Sequence, residues 1–530
     1  MVYIEFPTTY YNAVSPIQYC GNLQTIVFKS PTVLENEKCK STFLKGITNS
    51  NLTIRVPSFA VSSYKLDDYW YSYNIEGFAT SDVKEWSIHQ PLTMNNIRFE
   101  GTPDIIIYSG YLKLNGDAPM NVGYFYTRTN VDKMDSETGM ILSNCENIVI
   151  TGDYKHGYST VGKKWYFVSL PFDTKVGDIT NSSNAKFAIR YYDGANRAAN
   201  GAGGSWKNYG ENDIIPAGTG FIYQTNTDCR SYFISQNNAT KSNAISRKEF
   251  VKVLAANDSE TAADRGWNLV GNPWQSYYNI HKLNFTAPIT TWNGSTYVAY
   301  SIIDDDYAIK PNEAFFVQCP DEVTEISFPT DGRQLTSTIE SQNGARQMES
   351  ASAKRQLIDI EIRGGEASDK TRIVLNEEAA MAYETGRDAS KFLSMEGSVP
   401  QIYSVDEEDN EYAINERPMG NGSVKLRVSV QQAGRYTLSA TRNDMEQAVL
   451  KDLLTGAEVD LTQSGYDVEL EAGTYAGRFV LVLAGKAVTS VKGAATETQP
   501  AEKVFYNLSG QRIATPQKGL YIVNGKKVLK

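Results

Sequence analysis

The chain runs to 530 residues with a formal net charge of −10 and an isoelectric point near 5.2, a balance that argues against nucleic acid as a partner, since phosphate binders carry a basic face. At about 150 residues per domain the length allows roughly three or four domains, and no apolar run approaches the roughly 18–20 residues of a membrane-crossing helix. Gly (40), Pro (18) and Tyr (33) are abundant and no segment sustains a 3.6-residue period, so the chain reads as mainly β.

At the amino terminus Ile4-Glu5-Phe6 recurs as Ile26-Val27-Phe28 and again as Ile54-Arg55-Val56. A period in the twenties around an x-Ile-x-Phe core predicts stacked repeat strands, closed by a short amphipathic cap over Ala60 to Trp70 with Tyr64 and Trp70 covering the core. Cys20-Gly21-Asn22-Leu23-Gln24-Thr25-Ile26 and Leu52-Thr53-Ile54-Arg55-Val56-Pro57 resemble the end of a BspA-like leucine-rich repeat array, a likeness covering residues 1–77. Met1 to Pro7 offers neither the basic n-region nor the apolar h-region of a signal peptide. The array also starts without a cap, so the expectation is that an N-terminal part is missing.

Residues 78–164 alternate in short runs such as Ile97-x-Phe99, Leu112-x-Leu114 and Tyr124-x-Tyr126, which predicts either stacked β rungs or a sandwich. A duplication follows. Trp165-x-x-Val168-x-x-Pro171 returns as Trp267-x-x-Val270-x-x-Pro273, with Tyr192-Asp193-Gly194 answered by Trp292-Asn293-Gly294 and Phe221-Ile222-Tyr223-Gln224 by Phe315-Phe316-Val317-Gln318. Two tandem β modules are expected, at 165–262 and 263–335, with Asp193-Gly194 and Asn293-Gly294 as hairpin turns. The second resembles the Trp-Asn-Leu-Val-Gly-Asn-Pro modules of Bacteroidetes surface proteins. Trp165, Trp267 and Trp292 recur at module positions and are expected in the cores. Trp274, Tyr277 and Tyr278 follow the Gly271-Asn272-Pro273 turn and are the aromatics expected to be exposed for binding a sugar face.

Residues 336–355 read as a polar linker. Alternations such as Val424-x-Leu426-x-Val428 and Phe479-x-Leu481-x-Leu483 then predict a β-sandwich over 356–485. A second linker spans 486–503, and 504–530 forms four short β-prone runs in which Asn524-Gly525 predicts a two-residue type I′ hairpin turn. The spacing of Tyr506, Gly510 and Arg512, then Gly519 and Tyr521, then Asn524, Gly525, Lys526 and Lys527 resembles the C-terminal sorting domain of Bacteroidetes proteins exported by the type IX (Por) secretion system. That resemblance implies the type IX machinery as a partner and a secreted or outer-surface location.

Chemistry-bearing motifs are sparse. His89, His156 and His281 are scattered without metal-ligand spacing, and no Gly-x-Ser-x-Gly elbow occurs. The run Asp304-Asp305-Asp306 is a weak Ca²⁺ candidate, because adjacent carboxylates repel unless something compensates them; no other cofactor or metal is expected. The whole therefore reads as the end of a leucine-rich repeat array, tandem β modules, a β-sandwich and a small sorting unit. A non-enzymatic surface adhesin binding a host protein or glycan is the function expected. The alternatives are accessory modules of a larger secreted hydrolase, or a structural stalk.

Overall fold

The structure is a computed structural model, which describes residues 3–8, 20–33, 46–236, 238–284, 286–320, 323–339, 355–394, 396–419 and 422–485, the single positions 17, 43 and 44, and in the tail 505–506, 512–513, 520–523 and 526–529. It is mainly β, and it divides into one compact unit, Met1–Lys486, and a second, Ala487–Lys530. Among the described residues no helix is long and apolar enough to cross a membrane, a statement about helices alone.

The first sheet holds four parallel strands, Tyr3–Phe6, Thr25–Phe28, Thr53–Pro57 and Asn74–Phe78. Ile4, Ile26, Ile54 and Ile75 are lateral neighbours, so the sequence repeat is also the pairing register. Their inward faces share a core with Tyr64 and Trp70, both fully buried. Pro57 ends its strand because it lacks a ladder donor, and a 3-10 turn, Ser58–Ala60, leads into the helix Val61–Leu66.

Parallel rungs come next. Glu85–Ile88, Asp104–Ile107, Phe125–Thr129 and Tyr154–Thr160 stack side by side on one face. Gly110–Asn115 pairs with Leu92–Asn95 and Gly139–Ser143 on a second face, and Met120–Val122 with Ile148–Ile150 on a third. Each turn of the coil sends its apolar residues inward, and Trp86, Ile105, Phe125 and Tyr154 form one inner row. The rungs do not end at residue 164. Cys229–Ile234, from the first module, pairs antiparallel with Tyr154–Thr160, and Val168, Phe221 and Phe233 join the rung core. A last rung would otherwise present an open edge and an uncovered core.

The duplication is real in topology. The first module orders its strands Tyr166–Val168, Phe221–Thr225, Phe187–Tyr192, Trp206–Asn208, and the second orders Trp267–Gly271, Ala314–Gln318, Ile289–Trp292, Tyr297–Tyr300 in the same sequence. The copies meet reciprocally: Val168 bridges to Glu313 and Val270 to Thr219. Ser169 N donates to Asn312 O at 2.9 Å and Gly271 N to Gly218 O at 3.0 Å. One matched turn differs. Asn293 makes the expected turn, accepting from Ser295 N and Thr296 N, whereas Asp193 caps the helix Gly194–Asn200 through Asn196 N. An inserted helix converts the same turn signal into an N-cap.

The strands from Arg355 to Ala484 form a single hydrogen-bonded path of ten, with Ala389–Ser390 attached beside it. The expected sandwich is therefore one continuous, near-closed sheet. Residues from strands at both ends of the path, Val468 at one and Val459 at the other, pack into one core with Ile360 and Leu426. In the second unit Leu520–Val523 pairs with Lys526–Leu529, Val523 opposite Lys526, and Phe505–Tyr506 lies between Arg512–Ile513 and Leu520–Val523.

Candidate functional site

The three aromatics expected at the surface are inside. Trp274 is 2% exposed, Tyr277 6% and Tyr278 0%. The cause is Asn272, whose side-chain amide donates to Ser276 O and Lys310 O and whose carbonyl accepts from Trp274 N, folding the turn inward. The Trp274 ring is held between the guanidinium groups of Arg247 and Arg333, 5.0 and 4.8 Å from its centre. Gln275 fastens the segment to the rungs through Thr129 Oγ1 and Gly139 O. These residues join modules and offer no ligand face.

Compensation for Asp304 to Asp306 comes from side chains of the protein. Asp304 pairs with Arg355 at 2.6 Å, Asp305 with Arg372 at 2.7 Å and Arg442 at 3.5 Å, and Asp306 with His281 at 2.9 Å. Arginines of the following sheet thus engage Asp304 and Asp305, and the His281 ring nitrogen hydrogen-bonds Asp306. Of the tail residues singled out, Tyr506, Arg512, Tyr521, Lys526 and Lys527 lie on strands, while Gly510, Gly519, Asn524 and Gly525 lie outside the described residues.

Trp165 and Trp292, expected in cores, are half-buried. The Trp292 indole N–H donates to Trp165 O at 3.1 Å, and both line a cleft of about 60 Å³. At roughly 10–15 Å³ per water centre, that holds a few waters rather than a sugar ring. A larger groove, about 600 Å³, opens beside the first rung between Lys29, Phe78, Asp82 and Glu85.

The surface best built for a ligand adjoins that groove: the outer face of the rung sheet. Because successive residues of a strand point to opposite faces, Phe125 and Thr127 go into the core while Tyr126 and Arg128 lie on the outer side, where Tyr126 is covered to 7% exposure and Arg128 is half-buried. In the register, Tyr126 stands between Ile106 and Lys155, and Arg128 lies beside Gly157, which in turn faces Tyr232. His89 stacks on Tyr108 with ring centres 4.8 Å apart, Tyr108 lies 5.9 Å from Tyr126, and the Arg128 guanidinium sits 5.4 Å from the Tyr108 ring centre. Across the sheet, Lys155 Nζ lies 4.2 Å over Tyr232. Gly157 makes the arrangement possible: a Cβ there would come 2.3 Å from the Tyr126 hydroxyl and 3.0 Å from Arg230 Cδ.

Burial, then the nearby Arg128 charge, pulls the His89 imidazole down to about 4, so it is neutral at pH 7. Burial raises the Tyr108, Tyr124 and Tyr126 phenols, which therefore keep their protons. The face thus presents ring edges, neutral hydroxyls and the half-buried side chains of Arg128, Lys155 and Arg230, the faces of His89 and Tyr108 being turned to one another. Such a surface can hydrogen-bond the hydroxyls of a saccharide. Tyr124-x-Tyr126-x-Arg128 was the signal available in the sequence. It reads as a binding face only once Phe125 and Thr127 are known to point inward.

A family model described as a domain of unknown function, DUF8693, matches residues 268–483. The match begins in the first strand of the second module and ends in the strand Gly473–Ala484. No curated protein and no solved structure matches the chain.

Proposed function

We propose that this is a secreted or surface-displayed, non-enzymatic binding protein whose rung sheet holds a glycan. The observation that carries this reading is the half-buried set His89, Tyr108 and Arg128, with Lys155 over Tyr232, on the outer face of the rung sheet. His89 and Tyr108 cover each other's ring faces and Lys155 covers one face of Tyr232, so what this surface offers a saccharide is hydroxyl and cationic hydrogen-bonding groups. The first four strands are the end of a leucine-rich repeat array in this reading, supported by their parallel pairing in the register of the sequence repeat. The tail acts as a type IX sorting unit. Supporting that role are the compactness of Ala487–Lys530 as its own unit and the two-residue connection that Val523 opposite Lys526 requires at Asn524-Gly525.

Display on a glycan array tests the binding reading. The full chain should retain specific glycans, and Tyr108→Ala or Tyr232→Ala should abolish retention while leaving the melting curve in place. Retention unaffected by both changes would defeat it. For export, deleting residues 504–530 in the producing cell should strand the protein in the periplasm, and undiminished surface display would defeat the sorting role.

A further inference from the structure

Between the second module and the near-closed sheet lies a cavity of about 150 Å³ that opens to solvent on one side. One wall is the edge strand Tyr297–Tyr300, which pairs on one side alone, with Ile289–Trp292, together with Asn293 and Thr296 of the turn before it. The other wall is the outer face of the sheet. There Glu361 stands opposite Lys370, Ser368 and Arg372 lie two residues to either side of Lys370, and Ile414 neighbours Arg372, while Ile360 and Ile362 point the other way into the core. Both walls fall within residues 268–483, the stretch the family model matches.

The charges around this cavity balance. Two carboxylates, Glu361 and Asp369, stand against two cations, Lys370 and Arg372, and each has a counter-charge elsewhere. Asp369 meets Lys391 Nζ at 2.6 Å, Arg372 is gripped by Asp305 and Asp359, Glu361 takes Arg363 at 2.9 Å, and Lys370 reaches Asp359 at 3.7 Å. The cations oppose a metal ion and the carboxylates oppose a free anion. Uncharged hydrogen-bonding capacity is what remains. Asn293 spends its carbonyl on Ser295 N and Thr296 N, but its amide nitrogen and the hydroxyls of Tyr297 and Ser368 have no partner among the described residues. Burial raises the Tyr297 phenol, which therefore keeps its proton. Thr296 Oγ1 is buried in the same wall, also without a partner. Polar groups withdrawn from bulk water are normally hydrogen-bonded, so four unpartnered ones around one cavity are capacity that the fold itself does not use.

The size fits one ring. An apolar cavity of about 150 Å³ takes up benzene, and here Val298, Ala299 and Ile414 line an apolar stretch for ring C–H groups while the rest of the lining supplies donors and acceptors for hydroxyls. We infer that this seam binds a single uncharged pyranose unit, at a site separate from the rung face and independent of how that face is read.

Ligand-observed NMR titration of the full chain with glucose, galactose, mannose, glucuronate and free alanine tests it. At least one neutral hexose should bind, in the roughly millimolar range expected of so few atoms. Tyr297→Phe removes the hydroxyl but keeps the ring against Trp292 and Phe392; it should weaken binding roughly tenfold and leave the melting curve in place. Ala413→Leu, which fills the cavity, should abolish binding. Tyr108→Ala on the rung face should change nothing, which separates failure of this site from failure of that one. Binding of no hexose, or binding that survives both seam changes, overturns the site. Tighter binding of glucuronate or alanine overturns the uncharged class. Hexose binding lost in Tyr108→Ala but kept in Tyr297→Phe places the sugar on the rungs and overturns the site likewise.

Discussion

Arg372 is 4% exposed and is gripped from two sides, by Asp305 through Nη1 and Nη2 and by Asp359 through Nε and Nη2. Deleting the guanidinium would leave two little-exposed carboxylates to face one another, with only Arg442 at 3.5 Å and Lys370 at 3.7 Å to relieve them. Breaking a buried pair by removing one partner costs about 3–5 kcal/mol; the relief places Arg372→Ala near about 3 kcal/mol, measurable by urea unfolding. A pH-dependent counterpart exists at Asp452, whose side chain is fully buried. Burial works against its charge, but Arg478 at 2.7 Å, the Tyr466 hydroxyl at 2.8 Å and Leu454 N–H hold the carboxyl well below the ordinary range. A carboxyl lowered on folding contributes stability that is complete above its unfolded value near 4 and is lost as pH falls through the folded one. Asp452→Asn should therefore cost about 2 kcal/mol at neutral pH, with the gap to the parent closing as unfolding is measured at successively lower pH below about 4. A gap unchanged at acid pH would show that the charge is not what matters there.

Where the two modules meet, equivalent residues lie against one another, and only one of the pair has a side chain. A Cβ at Gly271 would lie 2.1 Å from Ser169 Cβ, so Gly271→Ala forces the copies apart, a clash of about 3 kcal/mol by the usual cost of overpacking. Ser169 Oγ is buried without a hydrogen-bond partner, so Ser169→Gly alone should cost under about 1 kcal/mol, chiefly backbone entropy. Combining them moves the side chain from one copy to the other and should recover about 2 kcal/mol, a non-additive result expected only of residues in contact. Simple addition of the two costs would refute the reciprocal packing. At this scale much was legible: the repeat at Ile4, Ile26 and Ile54 is the pairing register, and the Trp165 and Trp267 landmarks mark two modules with one strand order. What failed was facing. Trp274 and Tyr278 follow a turn and read as exposed, yet Asn272, through hydrogen bonds to Ser276 and Lys310, turns them inward. Tyr108, Tyr126 and Arg128 read as ordinary alternation because only the neighbouring rungs decide which side is out.

At the scale of the whole chain, the least legible features were contacts that link residues far apart in sequence. Asp304 and Asp305 read in the sequence as a weak Ca²⁺ candidate in want of compensating charge, and Arg355, Arg372 and Arg442 bring that charge from the following sheet. Phe392 likewise reads as part of the last block, yet its ring stacks on Phe316 at 4.6 Å and meets Trp267 at 4.9 Å. Tyr383 donates to Gln318 Oε1 at 2.7 Å and Ser390 to Ala263 O at 3.2 Å. The second module and the near-closed sheet thus share an aromatic core and a buried ionic seam, and the match at 268–483 runs across both. Two parts held this way should not behave as beads on a string. Produced together as separate chains, 1–340 and 341–530 should co-elute as one complex from size-exclusion chromatography. Arg372→Ala in the second chain should weaken that complex roughly a hundredfold, the equivalent of about 3 kcal/mol, and residues 1–340 alone should bind a hydrophobic dye through the uncovered Phe316 and Trp267 surface. Two separate, dye-silent monomers would mean that the module and the sheet are independent domains after all, with the arginine seam no more than a surface contact between them.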